Sequence, residues 1–372
     1  TTLYHLIFIV KIKNIMKVCI LGSGLTSLTL AKMLVNQGIR VEILFDGKTK
    51  KNNRFQTLGI SKSNIDFFNK RIINIENLLW KIDNIEIYSE NLINEKILNF
   101  NNEQEQLFSV IRNLDLYKHL FENLKKNKLF KLTKKVLHPN LIKNDYNLVF
   151  NTDPNHMITQ KFFNRKLVKN YNSFAHVTTI EHKKLLNNHI AVQIFTKDGP
   201  LAFLPMSSIE TSIVYSARGQ RDIDLKNLII KYNKKYQIYK INKSLKFKLQ
   251  SSNLRGYYHK NIIAFGDLLH RLHPLAGQGF NMTIRDIKEI YKLIKFRKDH
   301  GLELDSSICH DFEKVSKSRN YLFSNGIDLI YEFFNFESNI SNKKISKSLK
   351  FLGKNKFVNK FFTKFADGGI VF

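Results

Sequence analysis

The stretch KVCILGSGLTSLTLAKMLVNQGIRVEILFD, residues 17–46, constrains the fold more than any other part of this 372-residue chain. It contains a short apolar run, a glycine turn, apolar residues at helical spacing up to Gly38, and a second apolar run. This order predicts a strand, a turn, a helix and a second strand, which together form a βαβ unit of about 30 residues. The chain is therefore expected to have an α/β fold built on a parallel sheet.

The turn GSGLTS, residues 22–27, has the position and spacing of a dinucleotide-binding turn. Its first glycine permits a sharp turn, and the second lets backbone N–H groups at the helix N-terminus approach a pyrophosphate. An acidic residue at the end of the second strand is suited to bind the adenosine ribose. An incidental glycine turn is the alternative. The cofactor contacts predicted here are Gly22, Gly24, Leu25, Thr26 and Asp46.

Patterns further along the chain predict a β-rich insertion before the chain returns to the first sheet. Alternating apolar and polar runs in residues 173–218 are typical of antiparallel sheet. Helices are predicted for residues 61–96, for the later part of 107–127, for 279–297 and for the chain from about 303 onward. Further strands are predicted at 146–153 and 261–267.

The formal net charge of +29 arises from 60 Lys and Arg residues against 31 Asp and Glu residues. Nucleic acid binding, contact with an anionic membrane surface and a compositional bias toward lysine each explain such a charge. The lysines are scattered and accompany many Asn, Ile and Phe residues, which favours bias. No nucleic-acid-binding motif is present, so no nucleic acid partner is predicted.

The two cysteines, Cys19 and Cys309, cannot form a disulfide framework or supply a zinc site alone. This usage predicts a reducing, cytoplasmic setting. The apolar run at residues 6–10 is too short to span a bilayer, and no basic segment precedes it. Residues 1–15 are therefore expected to be an extension outside a fold that begins near Met16.

The stretch GDLLHRLHPLAGQGFNMTIRD, residues 266–286, is the densest group of special residues. The carboxylate of Asp267 can accept hydrogen bonds from a polyol, and glycines after Pro274 let the backbone approach a flat ring. His270 and His273 are three residues apart, but no further acidic or cysteine ligand lies nearby at ligand spacing. We therefore predict no metal site. A structural role or a place lining the cofactor is favoured over action as a catalytic base.

Three stretches resemble the flavin-dependent aromatic hydroxylases, and most closely the branch that hydroxylates polyprenylated phenols in ubiquinone biosynthesis. They are the turn at residues 22–27, the segment DGPLAFLPM at 198–206, and residues 266–286. The third resembles the family pattern G-D-A-A-H-x-x-x-P-x-x-G-Q-G-x-N. The matching positions are Gly266, Asp267, His270, Pro274, Gly277, Gln278, Gly279 and Asn281.

The resemblance implies a Rossmann-like FAD-binding domain with an inserted antiparallel β-sheet substrate domain and a helical C-terminal tail. It also implies that FAD carries the chemistry, with NAD(P)H and O₂ as co-substrates, so that no catalytic side chain is expected. His273 and Pro274 are candidates for lining the flavin. The further cofactor contacts that it implies are Arg54, Asp153, Asp267, Pro274, Gly277, Gln278, Gly279, Phe280 and Asn281.

The segment NTDPNHMITQKFF, residues 151–163, departs from the family pattern. Asp153 is retained, but Pro154 replaces a glycine, Met157 replaces a serine, and Lys161 stands where an arginine is expected. This segment serves flavin and nicotinamide binding in the family, so NAD(P)H handling is expected to be altered. Two alternatives therefore stay open: a flavin monooxygenase acting on a soluble aromatic compound, and a non-catalytic flavin-binding subunit of the ubiquinone-biosynthesis assembly.

The expected domains are discontinuous. Residues 16–72, 100–160 and 255–300 are assigned to the FAD domain, 73–99 and 161–254 to the substrate domain, and 301–372 to the helical C-terminal region. Residues 345–365 place apolar residues among lysines at near-helical spacing. They form either a surface helix packed on the domain or an amphipathic patch on anionic lipid. The second alternative implies peripheral contact with the inner face of the plasma membrane and with other ubiquinone-biosynthesis proteins.

Overall fold

The computed structural model describes residues 16–47, 56–90, 96–101, 107–135, 146–219, 223–272 and 278–340. Its helices are α1 (Leu25–Asn36), α2 (Lys62–Arg71), α3 (Asn113–Lys125), α4 (Met157–Phe162), α5 (Leu225–Tyr232), α6 (Gln278–Asp299) and α7 (Ser307–Ile340). Its strands are β1 (Lys17–Leu21), β2 (Arg40–Phe45), β3 (Thr57–Ser61), β4 (Trp80–Ile82), β5 (Asn84–Ser89), β6 (Lys96–Asn101), β7 (Phe108–Arg112), β8 (Phe130–Lys134), β9 (Leu148–Asn151), β10 (Lys166–His182), β11 (Ile190–Thr196), β12 (Gly199–Pro205), β13 (Glu210–Arg218), β14 (Ile238–Ile241), β15 (Leu245–Leu254), β16 (Tyr258–His259), β17 (Ile262–Ala264) and β18 (His270–Arg271).

Six of the described strands form a sheet in the order β16-β17-β9-β1-β2-β8. β1 pairs in parallel with both β2 and β9, and β16 adds an antiparallel edge. Residues Val18 to Leu21 of β1 are fully buried, as expected for a central parallel strand covered on both faces. The chain places β2 and β8 on one side of β1 and then β9, β17 and β16 on the other, so the sheet has a switch point between β1 and β9. The predicted βαβ unit and α/β fold are confirmed.

Nine of the described strands form a second, largely antiparallel sheet with β10 near its centre. β10 pairs with β13 on one side and with β15 and β14 on the other, and β11 to β13 continue the sheet. One face packs against α5 through a cluster that includes Leu201, Tyr215 and Ile229. The antiparallel sheet predicted for residues 173–218 is confirmed.

The prediction that residues 61–96 are helical is wrong for most of that range. Among the described residues of that range, only α2 is an α-helix; a 3₁₀ turn follows at Glu76–Leu78, and the chain then forms β4 and β5. β4 joins β3 and β7 in a three-stranded sheet, while β5 pairs in parallel with β11. The strand pairing is long-range, because β5 and β11 are about a hundred residues apart. Tertiary contacts therefore outweigh the local pattern here.

The C-terminal region is helical as predicted, as far as residue 340. α6 lies against β3 and α2, and α7 packs on α6. None of the helices in the described ranges has the length and apolarity needed to cross a bilayer. Residues 1–15 and the basic segment 345–365 lie outside the described residues. The domain limits given above stay a prediction.

Candidate cofactor site

Gly22 makes the turn between β1 and α1 with a backbone angle that favours glycine. Its φ is +101°, and a Cβ placed there would lie 2.7 Å from Thr152 Oγ1 and 3.4 Å from Asp153 Cβ. The Thr152 hydroxyl is held by hydrogen bonds with the Leu21 carbonyl, at 2.8 Å, and Ser27 Oγ, at 2.7 Å. The end of β9 therefore closes tightly over the turn, and only a residue without a side chain fits between them.

Gly24 is the N-cap of α1, and the helix has no side-chain cap and no acidic residue in its first turn. A Cβ at Gly24 would meet nothing within 4 Å, so open space lies beside the helix N-terminus. The first N–H groups of a helix have no intrahelical partners, and Leu25 and Thr26 supply two of them here. Such an uncapped helix N-terminus with open space beside it is suited to bind an anion.

Asp267 is brought to the same place by a close contact between Gly266 and α1. Gly266 has φ +64°, and a Cβ there would lie 2.7 Å from Thr26 Cγ2. Asp267 follows in a 3₁₀ turn and is exposed, so its carboxylate is available to a ligand. The two glycine-containing motifs, more than 200 residues apart in the chain, thus adjoin.

Asp46 and Asp153 follow β2 and β9, the two neighbours of β1, at the carboxyl edge of the sheet. Both act electrostatically on His156, a residue that the sequence analysis did not select. Burial lowers the pKa of His156, against the opposing effect of the two carboxylates. Its Nδ1 accepts a hydrogen bond from the Ile158 N–H at 3.2 Å and caps α4, which leaves Nε2 as the donor of the neutral ring.

The first turn of α6 carries Gly279, Phe280 and Asn281. A Cβ at Gly279 would meet nothing within 4 Å, whereas Phe280 is buried in the main core. The Asn281 side chain is buried and joins α6 to β3 and α2. Its Oδ1 accepts from the Ser61 N–H at 3.0 Å and from Asn64 Nδ2 at 2.9 Å, while its Nδ2 donates to the Gly59 carbonyl at 2.9 Å. Asn281 therefore fixes the position of this helix end; its direct contact with a cofactor stays a prediction.

Replacing Asn281 by alanine is expected to lower the free energy of unfolding by about 1–3 kcal/mol, because buried polar groups on β3 and α2 lose their partner. Urea denaturation of the purified variant measures the change. Asn99→Ala is a matched control, since Asn99 is exposed on β6, and its effect should stay within about 0.5 kcal/mol. Equal losses in the two variants would contradict the anchoring role.

His270 is completely buried and pairs with Asp286 of α6. Its Nε2 lies 2.5 Å from the Asp286 carboxylate, and both side chains have no exposed surface. Among the described residues, no cluster of three or more His, Cys, Asp or Glu side chains could hold a metal ion. These contacts agree with the structural role favoured for His270. One feature of the sequence could have indicated this pair: Asp286 lies in the helix that follows the glycine motif.

Four predicted contacts, Arg54, His273, Pro274 and Gly277, lie outside the described residues, and so does the side chain of Gln278. The structure therefore brings together Gly22, Gly24, Thr26, Asp153 and Asp267, and places Asp46 beside them. The cofactor roles of all these residues stay predictions.

The nine-stranded sheet meets this part of the molecule through β13. Thr57 Oγ1 of β3 donates to Ser212 Oγ at 3.1 Å. Arg112, at the end of β7, forms an ion pair with Glu210. The face of the sheet that carries Ser212 and Glu210 is therefore turned toward the three-stranded sheet of β3, β7 and β4.

No protein-family model matches the chain. Curated relatives do: the "Ubiquinone biosynthesis monooxygenase COQ6, mitochondrial" of Schizosaccharomyces pombe is 22% identical over 273 residues, covering 60% of this chain and 57% of the relative. The "3-demethoxyubiquinol 3-hydroxylase" of Escherichia coli K12 is 28% identical over 152 residues, covering 38% of this chain and 39% of the relative. The chain thus spans 57% of the length of the first relative and 39% of the length of the second. The resemblance inferred from the sequence is confirmed.

Solved structures show the same fold. HpxO of Klebsiella pneumoniae, determined with FAD and uric acid, superposes with a TM-score of 0.72 at 10% sequence identity. The match covers 95% of this chain and 97% of HpxO. The chain therefore has the fold of HpxO, and the match includes both the α/β part and the nine-stranded sheet.

Proposed function

We propose that this chain is an FAD-dependent monooxygenase that hydroxylates the aromatic ring of a polyprenylated phenol in ubiquinone biosynthesis, using NAD(P)H and O₂. The observation that carries the proposal is the convergence of the Gly22 turn, Asp153 and the Gly266–Asp267 step at the carboxyl edge of the parallel sheet. The similarity to ubiquinone-biosynthesis monooxygenases supports the reaction class and the substrate class.

The residues present fit the adenosine and pyrophosphate end of FAD. The uncapped N-terminus of α1 offers N–H groups to the pyrophosphate, and the absence of side chains at Gly22 and Gly24 keeps the approach open. Asp46 would accept hydrogen bonds from the ribose hydroxyls, and the exposed Asp267 would accept them from the ribityl chain.

Bound FAD would supply the redox chemistry, taking hydride from NAD(P)H and activating O₂. The protein's part is to position the ring and the substrate, and to stabilise negative charge. The N-terminus of α6, where Gly279 leaves open space, presents a positive dipole end for this purpose. The nine-stranded sheet would hold the phenol against the ring.

A second candidate, a non-catalytic flavin-binding subunit, is favoured by the residues after Asp153. Pro154 and Met157 are exposed, and His156 caps α4 instead of offering Nδ1 to a ligand. These differences from the family pattern bear on NAD(P)H handling and leave the Gly22 turn unaffected. Peripheral membrane contact, at the inner face of the plasma membrane, belongs to the proposal because a polyprenylated substrate resides in lipid.

The purified full-length chain is expected to be yellow, with flavin absorbance that NADPH or NADH bleaches in the absence of oxygen. In air, a short-chain prenylated phenol should accelerate NAD(P)H oxidation and yield the hydroxylated ring, whereas a soluble aromatic acid such as 4-hydroxybenzoate should not. Mass spectrometry of the product after reaction under ¹⁸O₂ measures the transferred oxygen. A yellow protein that no phenol stimulates would leave the non-catalytic subunit; a colourless protein that does not bind added FAD would overturn both.

A further inference from the structure

His270 and Asp286 lie on the two described sides of the glycine motif and contact each other. His270 lies on β18, directly after the 3₁₀ turn that carries Asp267, and Asp286 lies on α6, shortly after Gly279 and Asn281. The contact between His270 Nε2 and Asp286 Oδ2 therefore joins both flanks of the proposed cofactor segment, 16 residues apart in sequence. A change in the position of either side chain would move Asp267 relative to the N-terminus of α6.

The C-terminal helix α7 also contacts Asp286, through the side chain of Asn320. Asn320 of α7 is 3% exposed, and its Nδ2 donates to Asp286 Oδ1 at 2.9 Å. Each oxygen of the Asp286 carboxylate thus has one partner, His270 on one side and Asn320 on the other. Because the carboxylate is completely buried, water cannot replace a lost partner. The orientation of Asp286, and through it that of His270, depends on a residue of α7.

We infer that Asn320 is a positioning residue for the proposed flavin site, acting through Asp286 and His270 on the segment that carries Asp267. The inference rests on the proposed function, because it assumes that this segment binds FAD. It assigns to the C-terminal helix a part in cofactor binding that the glycine motifs alone do not show.

The test compares FAD affinity in Asn320→Leu with that of the unmodified chain, by fluorescence titration of FAD-free protein. Asn320→Leu keeps the branched shape and the number of heavy atoms of the side chain and removes the donor, and it should weaken FAD binding roughly tenfold. Ser316→Ala is the matched control. Ser316 is also completely buried on α7, but its hydroxyl has no partner among the described residues, so the affinity should not change.

A double-mutant cycle with His270→Asn separates positioning from a general loss of stability. His270→Asn alone should also weaken FAD binding roughly tenfold. If Asn320 acts through His270 and Asp286, the double variant should lose no more than roughly tenfold, whereas independent effects would multiply to roughly a hundredfold loss. Multiplicative losses would overturn the inference, as would an unchanged FAD affinity in Asn320→Leu with only a lower melting temperature. If the unmodified chain binds no FAD, the proposed function fails first and the inference with it.

Discussion

Gly22→Val is expected to abolish flavin binding, with a loss of affinity of at least about a hundredfold. Valine at φ +101° is strained by roughly 1–3 kcal/mol. Its Cβ would also lie 2.7 Å from Thr152 Oγ1, an atom held by two hydrogen bonds to the β1–α1 segment. The turn must therefore open, and the N–H groups of α1 would no longer point toward the pyrophosphate. Titration of FAD-free protein with FAD measures the loss.

Two further glycines separate the effect on binding from the effect on folding. Gly24→Ala meets no atom within 4 Å and has an ordinary φ of −76°, so the fold should persist while the added methyl group hinders the pyrophosphate. Gly256→Ala also meets no atom within 4 Å, and Gly256 precedes the edge strand β16, which β17 and β9 separate from β1, so both stability and FAD affinity should be unchanged. Normal FAD affinity in Gly22→Val would show that the pyrophosphate lies elsewhere.

The parts of the fold that the sequence predicts are those with a local signal. The βαβ unit has strand-like and helical apolar runs separated by a glycine turn, and residues 173–218 alternate along adjacent strands. The strands β4 and β5 were missed because their partners are distant in sequence, and their apolar residues also fit a helical pattern. Short apolar runs do not distinguish the two cases without the partner strand.

The same limit applies to the site. Gly22, Asp46 and Asp267 are predictable because they occupy fixed positions relative to strand ends. Thr152, which closes over Gly22, and Asn320, which holds Asp286, carry no motif; their importance comes from contacts across 131 and 34 residues of sequence. His270 was selected for its imidazole, yet its role in the structure depends on a buried carboxylate in the following helix.

Asp286→Ala is expected to lower the free energy of unfolding by about 2–6 kcal/mol, because two buried groups lose their hydrogen-bond partner and each such loss costs about 1–3 kcal/mol. Here the loss would strand His270 Nε2 and Asn320 Nδ2 together, and His270 Nδ1 already has no partner among the described residues. Packing of α7 on α6 would be weakened as well, since Asn320 connects the two helices. Chemical denaturation of the FAD-free protein measures the change without a contribution from bound cofactor.

Asp299→Ala is the matched control for Asp286→Ala. Asp299 lies at the end of the same helix and pairs with Lys295 four residues earlier, but both side chains are about half exposed. An exposed pair of this kind contributes only about 0.3–0.5 kcal/mol, since water solvates either charge when its partner is removed. Comparing the stability losses of the two variants therefore tests whether the burial of Asp286 causes the larger loss. A loss below about 1 kcal/mol in Asp286→Ala would mean that water reaches the carboxylate, and the coupling between α7 and the Asp267 segment would then lack its physical basis.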